Sequence, residues 1–294
     1  MQVNVIEVKA SNEMEPLTCR RMLHQIPVAG IPIKERLMWM FEFEGINQQR
    51  KLDIRADLWP SSDIIEKLLE SRENIVIKGN NGVEYAKLTC TDSKSYTDIE
   101  LDENSIILRY PWDILALNEI IVGSITEDNI QGTVRERVTV DGTVWVGKNS
   151  TLLPGVYIEG NVVIGENCKI GPNCYIRGNT YIGDNCHIGQ AVEIKNSMIM
   201  HHVAAGHLSY VGDSIICPHA NLGAGTIGAN LRHDNKNHKS IVNRKAVDTG
   251  RRKFGFVLGD NVHTGIHTSI YPGRKMWPDT TTTPGETLAR DKTK

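Results

Sequence analysis

An apolar side chain returns at every sixth position from Val140 to Met200: Val140, Val146, Leu152, Ile158, Ile164, Ile170, Ile176, Ile182, Ile188, Ile194 and Met200. The position after it is often glycine (Gly147, Gly165, Gly171, Gly183, Gly189), and the position four beyond it is small in most turns, as at Ser150, Cys168, Cys174 and Cys186. Neither a helix nor a half-buried strand repeats at six. That period predicts a prism-shaped solenoid with one short strand per hexad and three hexads per coil. The aliphatic residue fills each inner corner, and glycine suits the bend between faces. The phase holds to Met200, breaks across 201–215, and resumes at Ile216 and Leu222. It returns in step at Leu258, Thr264 and Ile270, after "GANLRHDNKNHKSIVNRKAVDTGRRKFG", which is too polar and basic for a coil. This stretch predicts a loop extruded near 229–256, where rigid scaffolds tend to carry chemistry. His207, within "VAAGHLSYVGD", stands at the first break.

Residues 1–108 carry no hexad. Helices are predicted over 33–45 and 61–71, and strands over 73–79 and 85–90 around a turn at Asn80–Gly82. A connecting helix and linker follow over 109–133, with Pro111 near the helix start. The expected organisation is mainly β: a small α/β domain over 1–108, the connector, and a parallel β-helix over 134–294.

Lys and Arg number 33 against 35 Asp and Glu. That balance argues against a general nucleic-acid or membrane-surface binder. No apolar run has membrane-spanning length, and "MQVNVIEVKASNEME" lacks the basic-then-apolar order of a secretory signal. A cytoplasmic protein is expected. Of six cysteines, Cys168, Cys174 and Cys186 keep step with the hexad, no CxxC occurs, and free packed thiols are expected.

Arg177 and Lys195 lie eighteen residues apart, one full coil. They are expected on adjacent strands of one face, about 4.8 Å apart. Like charges so placed repel, unless an anion such as a phosphate monoester lies between them.

The stretch "VEIKNSMIMHHVAAGHLSYVGDSIICPHANLGAGTIGANLRHDNKNHK" resembles the acetyltransferase domain of the bifunctional glucosamine-1-phosphate acetyltransferase / N-acetylglucosamine-1-phosphate uridylyltransferases. The later "TGRRKFG" and "GDNVHTGIHTSIYPGRKMWP" are closer to archaeal-type amino-sugar-1-phosphate acetyltransferases. The resemblance implies a left-handed parallel β-helix that moves acetyl from acetyl-CoA to the amine of glucosamine- or galactosamine-1-phosphate. It implies a homotrimer, with acceptor and acetyl-CoA between neighbouring prisms, and no metal requirement for acetyl transfer. By the same resemblance His207 is the general base, and Arg177 and Lys195 hold the sugar phosphate. Tyr210, Asn221, Lys236 and Lys239 are the remaining acceptor-side positions. Ala224 lines the acetyl-CoA site, and Asn230 polarises the thioester carbonyl. Leu231 and Ile266 depart from the bacterial tyrosine and serine, so Arg251 and Arg252 are the expected cations for the CoA phosphates.

In front, "PLTCRRMLHQIPVAGIPIKERLM" resembles the opening of sugar-nucleotide pyrophosphorylases, but "KASNEME" has no glycine, Glu13 replaces their arginine and Leu23 their lysine. A loop without glycine brings its amides poorly to a phosphate, and no nucleotidyl transfer is expected. Two other functions compete with acetyl transfer. One is a zinc carbonic anhydrase on the same coil, for which His202 and His207 have a suitable offset. The other is a catalytically silent scaffold or regulatory subunit of a sugar-nucleotide enzyme.

Overall fold

The structure, a computed structural model, describes residues 1–9, 11–42 and 50–293. It divides into two compact units. One comprises Met1–Ser11, Arg21–Pro27 and Ile31–Arg109, and the other Asn12–Arg20, Val28–Gly30 and Tyr110–Lys294.

In the first unit, the strands Gln2–Ile6, Lys51–Arg55, Glu84–Thr89, Ile75–Lys78 and Thr97–Glu100 form one sheet in that spatial order. Helix α1, Ile33–Phe41, buries Ile33, Leu37 and Phe41. Residues 43–45 of the helix expected there lie outside the described residues, as does Ala10 of the glycine-free loop. Helix α2, Ser62–Glu70, is capped by the Ser61 hydroxyl, which accepts from the Ile64 amide at 3.2 Å.

The second unit contains helix α3, Pro111–Gly123, with proline in its first turn. A three-sided prism of parallel strands follows, starting at Asn129–Ile130. Its faces hold eight, six and eight strands and are called first, second and third in the order the chain visits them. It is a left-handed β-helix. Each face carries an inward ladder, such as Ile158, Ile176, Ile194 and Val211 on the third, and all four are fully buried. Burying each such side chain stabilises by about 1.5–3 kcal/mol, so the repeat itself supplies the core. Cys168, Cys174, Cys186 and Cys217 are free and buried within it, and burial pushes the Cys174 thiol up to about 12. Cys19 is exposed and Cys90 partly so. No helix among the described residues is long and apolar enough to cross a membrane.

The phase reading needs one correction. Ile176 faces Ile194 at eighteen residues, but Ile182 faces Ile199 and Lys195 faces Gly212 at seventeen. The coil shortens by one residue at Asn196 and again at Asp213, so the ladder passes through Ile199 rather than Met200. Both sit with positive φ, 48° and 49°, where the preceding coil uses Gly178 followed by Asn179. A single left-handed Asn or Asp thus replaces a two-residue bend. The break expected across 201–215 is therefore two single deletions, and Ala204–His207 between them is a regular strand.

The excursion between Gly228 and Phe256 contains a hairpin, Lys239–Val242 paired with Lys245–Asp248. Its two-residue turn, Asn243–Arg244, has φ of 48° and 65°, the twist that two-residue hairpins favour. The Ser240 hydroxyl donates to the Gly273 carbonyl at 3.0 Å and the buried Lys275 ammonium to the Ile241 carbonyl at 2.5 Å. Phe256 then enters the core over Gly228, where any β-carbon would meet its ring at 2.0 Å.

Candidate functional site

Arg177 and Lys195 face each other in register at the end of the third face, as their spacing requires. They are not bare like charges. The Arg177 guanidinium reaches the Glu193 carboxylate at 2.8 Å and lies 5.2 Å from the centre of the Tyr175 ring. The Lys195 ammonium donates to Asp213 at 2.9 and 3.2 Å. Arg177 remains one-third exposed, whereas the Asp213 side chain is 3% exposed.

Asp213 gathers the neighbouring groups. It accepts from the Asn196 amide at 3.0 Å and from the Asn230 amide at 2.5 Å. The other hydrogen of that Asn230 amide serves the Tyr210 hydroxyl at 3.1 Å. Both hydrogens of the Asn230 amide are therefore engaged within this network. The Asn230 carbonyl in turn holds Nε2 of buried His238 at 2.9 Å. Burial, then the nearby Glu193 and Asp213 carboxylates, raise the Tyr210 phenol above its ordinary value. It stays protonated and can donate to a bound hydroxyl.

His207 lies at the end of the second face, opposite Gln190, with its ring exposed. The chain turns at Leu208, and Tyr210 opens the third face. The base and the cations thus lie on adjacent faces, joined by one corner. The seventeen-residue register that pairs Ala204 with Asn221 and Ala205 with Leu222 carries Ala224 one coil above His207. Asn221 is exposed at the far end of the second face. Ile266, 51% exposed, continues the His207–Ala224 column across the excursion.

Lys236 and Lys239 are exposed on the excursion, as is Arg252. Arg251 differs. Its guanidinium pairs with Glu119 of α3, one contact at 3.1 Å, and its side chain is only 18% exposed. It is turned inward, toward α3. Glu119 also accepts from Asn196 at 2.6 Å, so α3, the shortened corner and the excursion share one network. Asp213, Glu119, Asn196, Glu193 and His238 were not singled out from sequence. The displaced phase at 196 and 213 was the available signal for Asn196 and Asp213 alone. His202 lies with His201 and His219, away from His207.

Residues 158–271 match the family described as the GMPPB C-terminal domain. A bifunctional sugar-1-phosphate nucleotidylyltransferase/acetyltransferase of Sulfurisphaera tokodaii is 40% identical over 181 residues, covering 62% of this chain and 45% of that protein. The bifunctional protein GlmU of Methanocaldococcus jannaschii is 42% identical over 166 residues, covering 56% and 40%. Over those residues this chain is similar to the bifunctional proteins. It spans about half the length of the curated relatives it matches. A solved UDP-N-acetylglucosamine acyltransferase overlays with a TM-score of 0.28 at 12% identity, over 54% of this chain and 70% of that one.

Proposed function

We propose that this protein is a cytoplasmic acetyltransferase that moves acetyl from acetyl-CoA to the amine of an amino-sugar 1-phosphate, glucosamine or galactosamine. The observation that carries the reading is the third-face assembly, with Arg177 beside Lys195 and Tyr210 held by Asn230, one corner from the exposed His207. The phosphate binds Arg177 and Lys195, drawing the guanidinium partly from Glu193. Tyr210 donates to the sugar, with Asn221, Lys236 and Lys239 as further acceptor contacts. The neutral amine attacks the thioester carbon and His207 accepts the proton it sheds; the C–S bond breaks, and His207 returns that proton to the departing sulfur, so that CoA leaves as the thiol. Ala224 lines the thioester site above His207, and Arg252 meets the CoA phosphates. Asn230 and Arg251 are positioning residues, the first for Tyr210 and Asp213, the second through Glu119. Nucleotidyl transfer is not part of the activity.

Incubation with acetyl-CoA and each amino-sugar 1-phosphate, with thiol release as readout, tests this. Turnover with one sugar supports the proposal. No turnover with either, from folded protein, overturns it in favour of the scaffold reading that the apolar Leu231 and Ile266 would suit.

A further inference from the structure

The corner between the first and second faces has its own column of residues, one per coil, all with left-handed backbone. It runs Asn149, Asn167, Asn185, His202, His219, Asn261 and Asp279, with φ between 56° and 62°. Short Asx side chains suit that conformation, and histidine is also enriched there. Two successive coils therefore present imidazoles where the others present amides or a carboxylate. Their rings stack at 4.9 Å with 26° between planes, close to the spacing of adjacent strands. His201, in the column where lower coils carry Lys148, Glu166 and Asp184, stands across both. Its ring lies 5.1 and 5.5 Å from theirs at 87° and 86°. Backbone preference accounts for His202 and His219 but not for His201.

We infer that His201, His202 and His219 form a binding site for a late first-row divalent metal, with zinc as the representative ion. One ring nitrogen from each lies within 4.8 Å of the others, and Nδ1 of His201 is 2.9 Å from Nδ1 of His202. Tetrahedral zinc with Zn–N near 2.0–2.1 Å needs its nitrogens about 3.3 Å apart. Small rotations of three exposed rings reach that spacing. An all-imidazole set selects zinc, copper or nickel over magnesium or calcium. Three protein ligands leave the fourth position to water. His207 takes no part, so this site and the proposed acetyl transfer stand or fall separately.

The test uses the full chain, stripped with a chelator and titrated with zinc chloride against a chromophoric chelator, then with cobalt chloride. One zinc per chain is expected, with a tetrahedral cobalt absorption band. His202→Asn and His219→Asn restore the residue usual in this column, so the coil keeps its backbone. Each should weaken zinc by about tenfold or more while acetyl transfer is unchanged. Zinc bound equally well by the double variant, or not taken up at micromolar concentration at pH 7.5, overturns the site.

Discussion

A β-carbon on Gly212 would lie 2.6 Å from the Asn230 amide nitrogen and 2.6 Å from the Tyr210 hydroxyl. Both belong to the network around Asp213, and the Asn230 end is held by the excursion, so neither can retreat freely. Gly212→Ala is expected to lower stability by about 1–3 kcal/mol and to raise KM for the sugar phosphate, read by thermal melting and kinetics. Unchanged melting and KM would show that the network tolerates loosening. His207→Ala tests the base. The ring is exposed and holds no part of the core, so the variant should fold, keep its KM and lose about 10²–10⁴-fold in kcat. A loss of less than tenfold would remove His207 from the proton transfer. His207, Arg177 and Lys195 could be found in the sequence because spacing or a distinctive string marks them. Asp213 is one carboxylate among 35 acidic residues, and only folding reveals that it is buried against three donors.

At the scale of elements, the hexad made the strands legible because each inner corner must bury an aliphatic residue. It misplaced the phase break because Ile199 and Met200 are adjacent, both apolar and both buried, so the pattern could not choose between them. The hairpin in the excursion was missed because its strand Lys245–Asp248 faces solvent and carries no alternation of core residues. That excursion is fastened by His238, whose imidazole burial holds below its ordinary value, partly offset by its bond to the Asn230 carbonyl. The unfolded chain therefore takes the proton first. The contribution to stability is whole above roughly pH 6.5 and is lost as pH falls toward the lowered folded value. The thermal midpoint should drop between pH 7.5 and 5.5, and less steeply in His238→Gln. Equal slopes in the two proteins would assign the pH dependence to other groups.

For the whole molecule, the two halves of the proposed site meet at the corner formed by Leu208, and that corner is unusually apolar for a surface. Leu208 is 59% exposed, Ile227 47% and Ile266 51%. They flank His207 and Tyr210 at the corner itself, one coil above it on the third face, and along the His207 column. Among the described residues nothing packs over these side chains, and grouped exposed aliphatics mark surfaces that meet another protein. A second prism laid against this edge would bury them and wall the site, and three-fold closure repeats the contact with no edge left over. Light scattering should therefore give three times the 32.8 kDa chain mass. Leu208→Asn combined with Ile227→Lys should yield a monomer that keeps its β-sheet spectrum, since Leu208 has a left-handed φ of 47° that asparagine accepts readily. That monomer should lose most of its acetyl transfer, because an open corner leaves acetyl-CoA held from one side. A monomeric variant with full turnover would place the whole reaction on one chain and end the case for a shared site.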